Sequence, residues 1–144
     1  MTDGSDRILR AAALGFAGAT GYSSVVAIRE DLPGEPLGIR IPLSVSTGLL
    51  IGWGAGVAAP WPMPVVALVA AARTGRDGTA RPALLCLGIG VAGIVGILIE
   101  PNTYNAKLWT PATRRAVIAH VASCASLVGT GIWRLRHSRK LAAR

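Results

Sequence analysis

Few residues in this sequence can do chemistry, and those few lie close together. Glu100 and Asn102 flank Pro101 directly after the apolar run LLCLGIGVAGIVGILI. Tyr104, Asn105 and Trp109 follow before a second apolar run opens near 114, and His120 stands about two turns into that run. A histidine accepts or donates a proton near neutral pH. If the two runs form a hairpin, Glu100 stands above His120, within a side chain or one water of it. A carboxylate so placed would orient the ring and raise its basicity. His120 is therefore the candidate general base and Glu100 its partner, although an interfacial glutamate alone is equally read as plainly solvated.

Other chemistries find less support. Cys86 and Cys124 lie inside apolar runs at different depths and form no CxxC, and no HxxxH occurs, so neither a disulfide nor a bound metal is expected. No glycine-rich phosphate loop follows a strand, which argues against a nucleotide cofactor. No cofactor is expected at all.

The elements that must position these residues follow from composition. Hydrophobic residues make up 51% of the 144 and charged residues 15%, against about 25% charged in ordinary soluble domains. The apolar content is mostly Ala, Val, Leu, Ile and Gly, the mixture of helices that pack closely in lipid. The expected fold is all-α, a single integral membrane domain built as a four-helix bundle. Crossing about 30 Å of hydrocarbon takes about 20 helical residues. Spans are expected at about 8–28, 41–59 with a continuation to 72, 83–99 and 114–133, followed by a basic tail over 134–144. Pro60, Pro62 and Pro64 forbid a regular helix through the second of these, which should be kinked or interrupted there, its end lying near the interface. Arg7 and Arg10 before AAALGFAGA resemble the front of a signal peptide, but the apolar run continues to 28 and reads as an uncleaved span.

Lysine and arginine placement sets the orientation. The amino end, the 73–82 loop and the tail hold ten of them, and the other two loops five, which favours a cell-membrane protein with both termini in the cytoplasm. The formal charge of +8 is then a topology signal, with membrane lipid as the partner of the tail, and nucleic-acid binding is not expected.

Small residues recur every fourth position at Gly48, Gly52 and Gly56, at Gly88, Ala92 and Gly96, and at Ala122, Ser126 and Thr130. Each stripe would let another helix approach closely, within the bundle or, for Gly48, Gly52 and Gly56, across a homo-oligomer seam. Polar residues gather in the outer half: Thr20, Tyr22, Ser23 and Ser24, then Ser44, Ser46 and Thr47, then Glu100, Asn102 and His120. Such a cluster at one depth suggests a pocket, while serine and threonine singly are as well explained by bonds back to helix carbonyls.

The stretch 99–120 resembles the anthrone oxygenase-like family of small four-span membrane proteins. The resemblance rests on Pro101, Asn102, Asn105, Leu108, Trp109 and His120, with LGFAGATGYSSVVAI as a glycine- and serine-bearing first span. Two positions depart from the family pattern, Ala116 where it has a tryptophan and Ser123 where it has an arginine, and the asparagine is one place off unless Asn105 substitutes for Asn102. The resemblance implies cofactor-independent oxidation of an apolar phenolic polycycle by molecular oxygen. His120 would be the base and Glu100 would hold its tautomer. Asn102, Tyr104 or Asn105 would donate to the phenolate, Trp109 would cover the rings, and Tyr22 would join the substrate-facing set. Two rivals remain: an accessory membrane subunit that uses the REDLPGEPLGIR loop as its contact surface, and a small transporter built around the proline-broken segment.

Overall fold

The computed structural model of the chain describes residues 4–76 and 79–142. It is all-α, with five helices and no strand among the described residues. In chain order they are α1 (Gly4–Arg29), α2 (Val45–Ile51), α3 (Pro62–Arg73), α4 (Arg81–Ile99) and α5 (Pro111–Ala142). Three of them, α1, α4 and α5, are long and apolar enough to cross a membrane. Helix α3 has 12 residues, and its rise of ~18 Å falls short of the hydrocarbon thickness.

The helices pack in a closed ring in which α5 lies between α1 and α4, and α3 closes the other side between the same two. Small residues set the α4 to α5 distance. A Cβ on Gly90 would stand 2.9 Å from the Cys124 carbonyl oxygen, and one on Gly131 would stand 3.0 Å from the Leu87 Cβ. The stripe Gly88, Ala92, Gly96 does not make this seam, since space is open at Gly88 and Gly96. Ser126 and Thr130 return their hydroxyls to the carbonyls of Ala122 and Ser126, so the third stripe is bonded along its own helix. Around the seams lie two apolar clusters. One gathers Leu9, Phe16, Ala67, Cys86 and Leu127, and the other gathers Val26, Ala27, Val45, Leu49 and Val117. Cys86 and Cys124 are buried and unbridged.

The second apolar segment differs most from expectation. It is interrupted, as the prolines require, but over a longer stretch than they occupy: it forms α2, an irregular stretch over 52–61, and α3. The interruption begins at glycine: Gly52 ends α2 in the left-handed region at φ 105°, and Gly54 has φ 77°. Pro62 and Pro64 fall in the first turn of α3, where backbone N–H groups have no helical partner and proline costs nothing. The Gly48, Gly52, Gly56 stripe therefore does not lie along one helix. Gly48 makes room for the Gly54 carbonyl, and Gly56 abuts the Asn102 side chain. The tail also differs, since α5 runs on through Ala142, with 143 and 144 outside the described residues.

At the end of the ring that holds the start of α1, polar groups pair across helices. Arg134 meets the buried Asp6 carboxylate at 2.6 Å. Arg10 donates to the carbonyls of Ala71 and Thr74, a cation placed on the negative end of α3. Removing the cation leaves Asp6 as an uncompensated buried charge, which costs about 3–5 kcal/mol. Arg134→Gln should lower the melting temperature in detergent, and adding Asp6→Leu to it should recover most of the loss.

Candidate functional site

Loops from three parts of the chain meet over the opposite end of the ring. Thr110 caps α5 by accepting from the Thr113 N–H, with Pro111 at the first helical position. The Glu30 carboxylate accepts from the hydroxyls of Thr110 and Thr113, which ties the end of α1 to the start of α5. The chain then leaves α4 at Glu100, whose residue is only 7% exposed. One Glu100 oxygen accepts from the Glu35 backbone N–H at 2.9 Å and the other from the Asn102 side-chain amide at 3.2 Å. The same Asn102 nitrogen donates to the Pro33 carbonyl at 3.3 Å. Gly56 N–H donates to the Leu32 carbonyl, and Trp109 Nε1 donates to the Asn102 carbonyl at 2.8 Å. The result is a knot joining the loops 30–44, 52–61 and 100–110.

Beneath this knot lies a cavity of about 100 Å³. Its walls include the irregular stretch from Ala55 to Pro60, Met63 of α3, and Ala92, Gly93 and Gly96 of α4. Its polar wall is formed by Glu100, Thr103 and His120. His120 is 5% exposed and packs against Phe16, with ring centroids 5.8 Å apart. Its Nδ1 is buried without a hydrogen-bond partner among the described residues. The Thr20 hydroxyl is likewise buried and unpartnered. By contrast Ser23 bonds across to the Ala116 carbonyl and Ser24 back to that of Thr20.

Glu100 and His120 thus reach one cavity, but no hydrogen bond joins them. Both Glu100 oxygens are engaged by the loops, so the carboxylate does not hold the ring's tautomer. Burial pushes the Glu100 carboxyl above its ordinary value, while the bonds from Glu35 and Asn102 pull it down.

The other expected site residues lie elsewhere. Asn102 builds the knot, and Trp109 packs against the cluster around Val26 and Ala27. Tyr104 is 62% exposed, Asn105 is exposed, and Tyr22 is 41% exposed, and none of the three lines the cavity. The side chain of Leu108 lies outside the described residues. Sequence reasoning missed Trp53, Met63 and Thr103. The signal for the first was present in GWGAG, where three glycines in five positions are too many for a helix interior at about 1 kcal/mol each.

Glu100→Ala leaves the Glu35 N–H without its acceptor and takes one of two acceptors from the Asn102 amide, and should cost about 1–3 kcal/mol in a thermal or denaturant melt, whereas Tyr104→Ala should stay within about 0.5 kcal/mol of the parent. Because burial holds the Glu100 carboxyl above its ordinary value in the folded state, folding stability should fall as pH rises from the ordinary carboxylate value through the folded one. Glu100→Gln should flatten that part of the stability profile. Separately, a Cβ on Gly56 would stand 2.7 Å from the Asn102 amide nitrogen, so Gly56→Ala should cost about 1–3 kcal/mol in the same melt.

Compared with known proteins, the chain matches no protein-family model, no curated protein and no solved structure.

Proposed function

We propose that this protein is a multi-pass membrane protein, with both termini in the cytoplasm, that takes an apolar aromatic molecule into the cavity beside His120 and directs its oxidation by molecular oxygen without a cofactor. The membrane part of the reading is supported by the three long apolar helices and by the excess of Lys and Arg at the α1 start, the α3 to α4 connection and the end of α5. Helix α3, with the irregular stretch before it, completes a four-helix bundle in which irregular backbone at membrane depth faces a cavity and not lipid. The catalytic part rests on the resemblance over 99–120 and on one observation: the imidazole of His120 is buried in the wall of a cavity that is otherwise mostly apolar.

The chemistry asks little of the chain. His120 removes a proton from an activated CH₂ next to the ring system, and the carbanion adds to oxygen. The resulting peroxide anion takes the proton back, and loss of water leaves a carbonyl, so that R₂CH₂ and O₂ give R₂C=O and H₂O. A cavity that holds one benzene ring measures about 150 Å³. The present one, at about 100 Å³, admits the reacting edge of a polycycle with the remaining rings in the opening.

A second reading, a non-catalytic membrane subunit, is favoured by one observation. Leu37 and Ile39 stand 73% and 64% exposed in the 30–44 loop, beside the Arg40–Glu35 ion pair, an apolar surface suited to a partner. Turnover separates the two readings. Membranes containing the protein, given an anthrone in air, should form quinone by absorbance, and His120→Ala should lower the rate about 10²–10⁴-fold at equal protein level. Equal rates for the parent, His120→Ala and empty membranes would reject catalysis in favour of the subunit.

A further inference from the structure

The cavity has a side facing away from the loops. Along α4 the exposed side chains Leu84, Leu85, Val91, Val95 and Leu98 are all aliphatic, and along α3 so are Val65, Val66 and Val69. In a membrane these surfaces face acyl chains. Ala92 belongs to the cavity wall and is itself exposed, seven residues before the end of α4 and next to Val91. Gly96, one turn further, also lines the cavity, and a Cβ there would meet nothing within 4 Å. Opposite them stand Pro60 and Met63, at the start of a helix too short to cover the full height of α4. The crevice between α3 and α4 is therefore framed by small residues on one side and by a short helix on the other.

We infer that this crevice is the entrance, and that the ligand reaches His120 sideways from the bilayer as a small dissolved molecule carrying a hydroxyl or carbonyl group. This rests on the ligand-binding part of the function proposed above, but not on turnover. An acyl chain is a poorer occupant, since it would leave the His120 ring facing a group that makes no hydrogen bond, and unmet buried polar groups are costly. The aliphatic side chains flanking the crevice disfavour a charged, water-confined molecule. The loops lie over the other face of the cavity, with Glu100 and Asn102 knotting them together.

The test uses the full chain in phospholipid vesicles and two photoactivatable phenols bearing a diazirine, one lipid-soluble and one sulfonated so that it stays in water. Labelled peptides are identified by mass spectrometry. The lipid-soluble probe should label both 55–63 and 92–99, and an excess of unmodified phenol should suppress the labelling. Ala92→Leu combined with Gly96→Leu should reduce it about tenfold. A Cβ at Gly96 meets open space and Ala92 is exposed, and Ser126→Leu on an exposed part of α5 should leave labelling unchanged. Equal labelling by the sulfonated probe would overturn the lateral entrance in favour of access from water. Labelling confined to the outer face of α4, absence of competition, or indifference to the double substitution would overturn it as well. Labelling as expected without any quinone formation would reject oxidation while leaving the entrance in place.

Discussion

A carboxylate that ends an apolar helix must find donors or reach water, and Glu100 finds donors. The backbone N–H of Glu35 and the amide of Asn102 close on its two oxygens. Because that amide also reaches Pro33, and because Gly56 fits against it only for want of a side chain, one buried carboxyl group fixes the positions of three loops. The cavity depends on this arrangement. Without it the stretch 52–61 is more weakly held against α4, since its backbone is irregular and six of its ten residues are glycine or alanine.

The bundle below supplies the opposite property, which is close contact. Glycines 90, 93 and 131 bring α4 against α5 until backbone and side chain touch, with the Cys124 sulfur occupying the place where a Gly93 side chain would be. Nearer the loops the helices are not drawn together in this way, and α3 begins only at Pro62. The space left over is the cavity, and His120 enters it because α5 turns that face toward α4 and α3. Polar loops and tight helices thus divide the work: one holds the space open, and the other keeps its walls rigid.

How much of this could be read beforehand follows from the kind of signal each part leaves. Helices α1, α4 and α5 are legible because an apolar run of nearly 20 residues has few other uses. The second segment is misread because glycine at every fourth position looks the same whether it lines a helix or lets the chain turn, and only the added density of GWGAG favours turning. Likewise α4 carries glycines at 88, 90, 93 and 96, and spacing alone cannot say which pair meets a partner. Depth in the membrane brings Glu100 and His120 to one cavity by simple counting. Counting cannot say where a carboxylate finds its hydrogen bonds, and so Asn102 and Trp109, which look like ligand contacts, are parts of the knot.

The central claim is that the His120 ring is the polar contact for a molecule held in this cavity, and its nitrogen resonances test that directly. The sequence has two histidines, so the protein labelled with ¹⁵N-histidine in lipid nanodiscs gives two rings to follow, His120 and His137. Titration with a lipid-soluble phenol should move a ring nitrogen signal of His120 saturably and leave His137 in place. A His120 signal that stays fixed while the phenol saturates the bilayer would contradict the account.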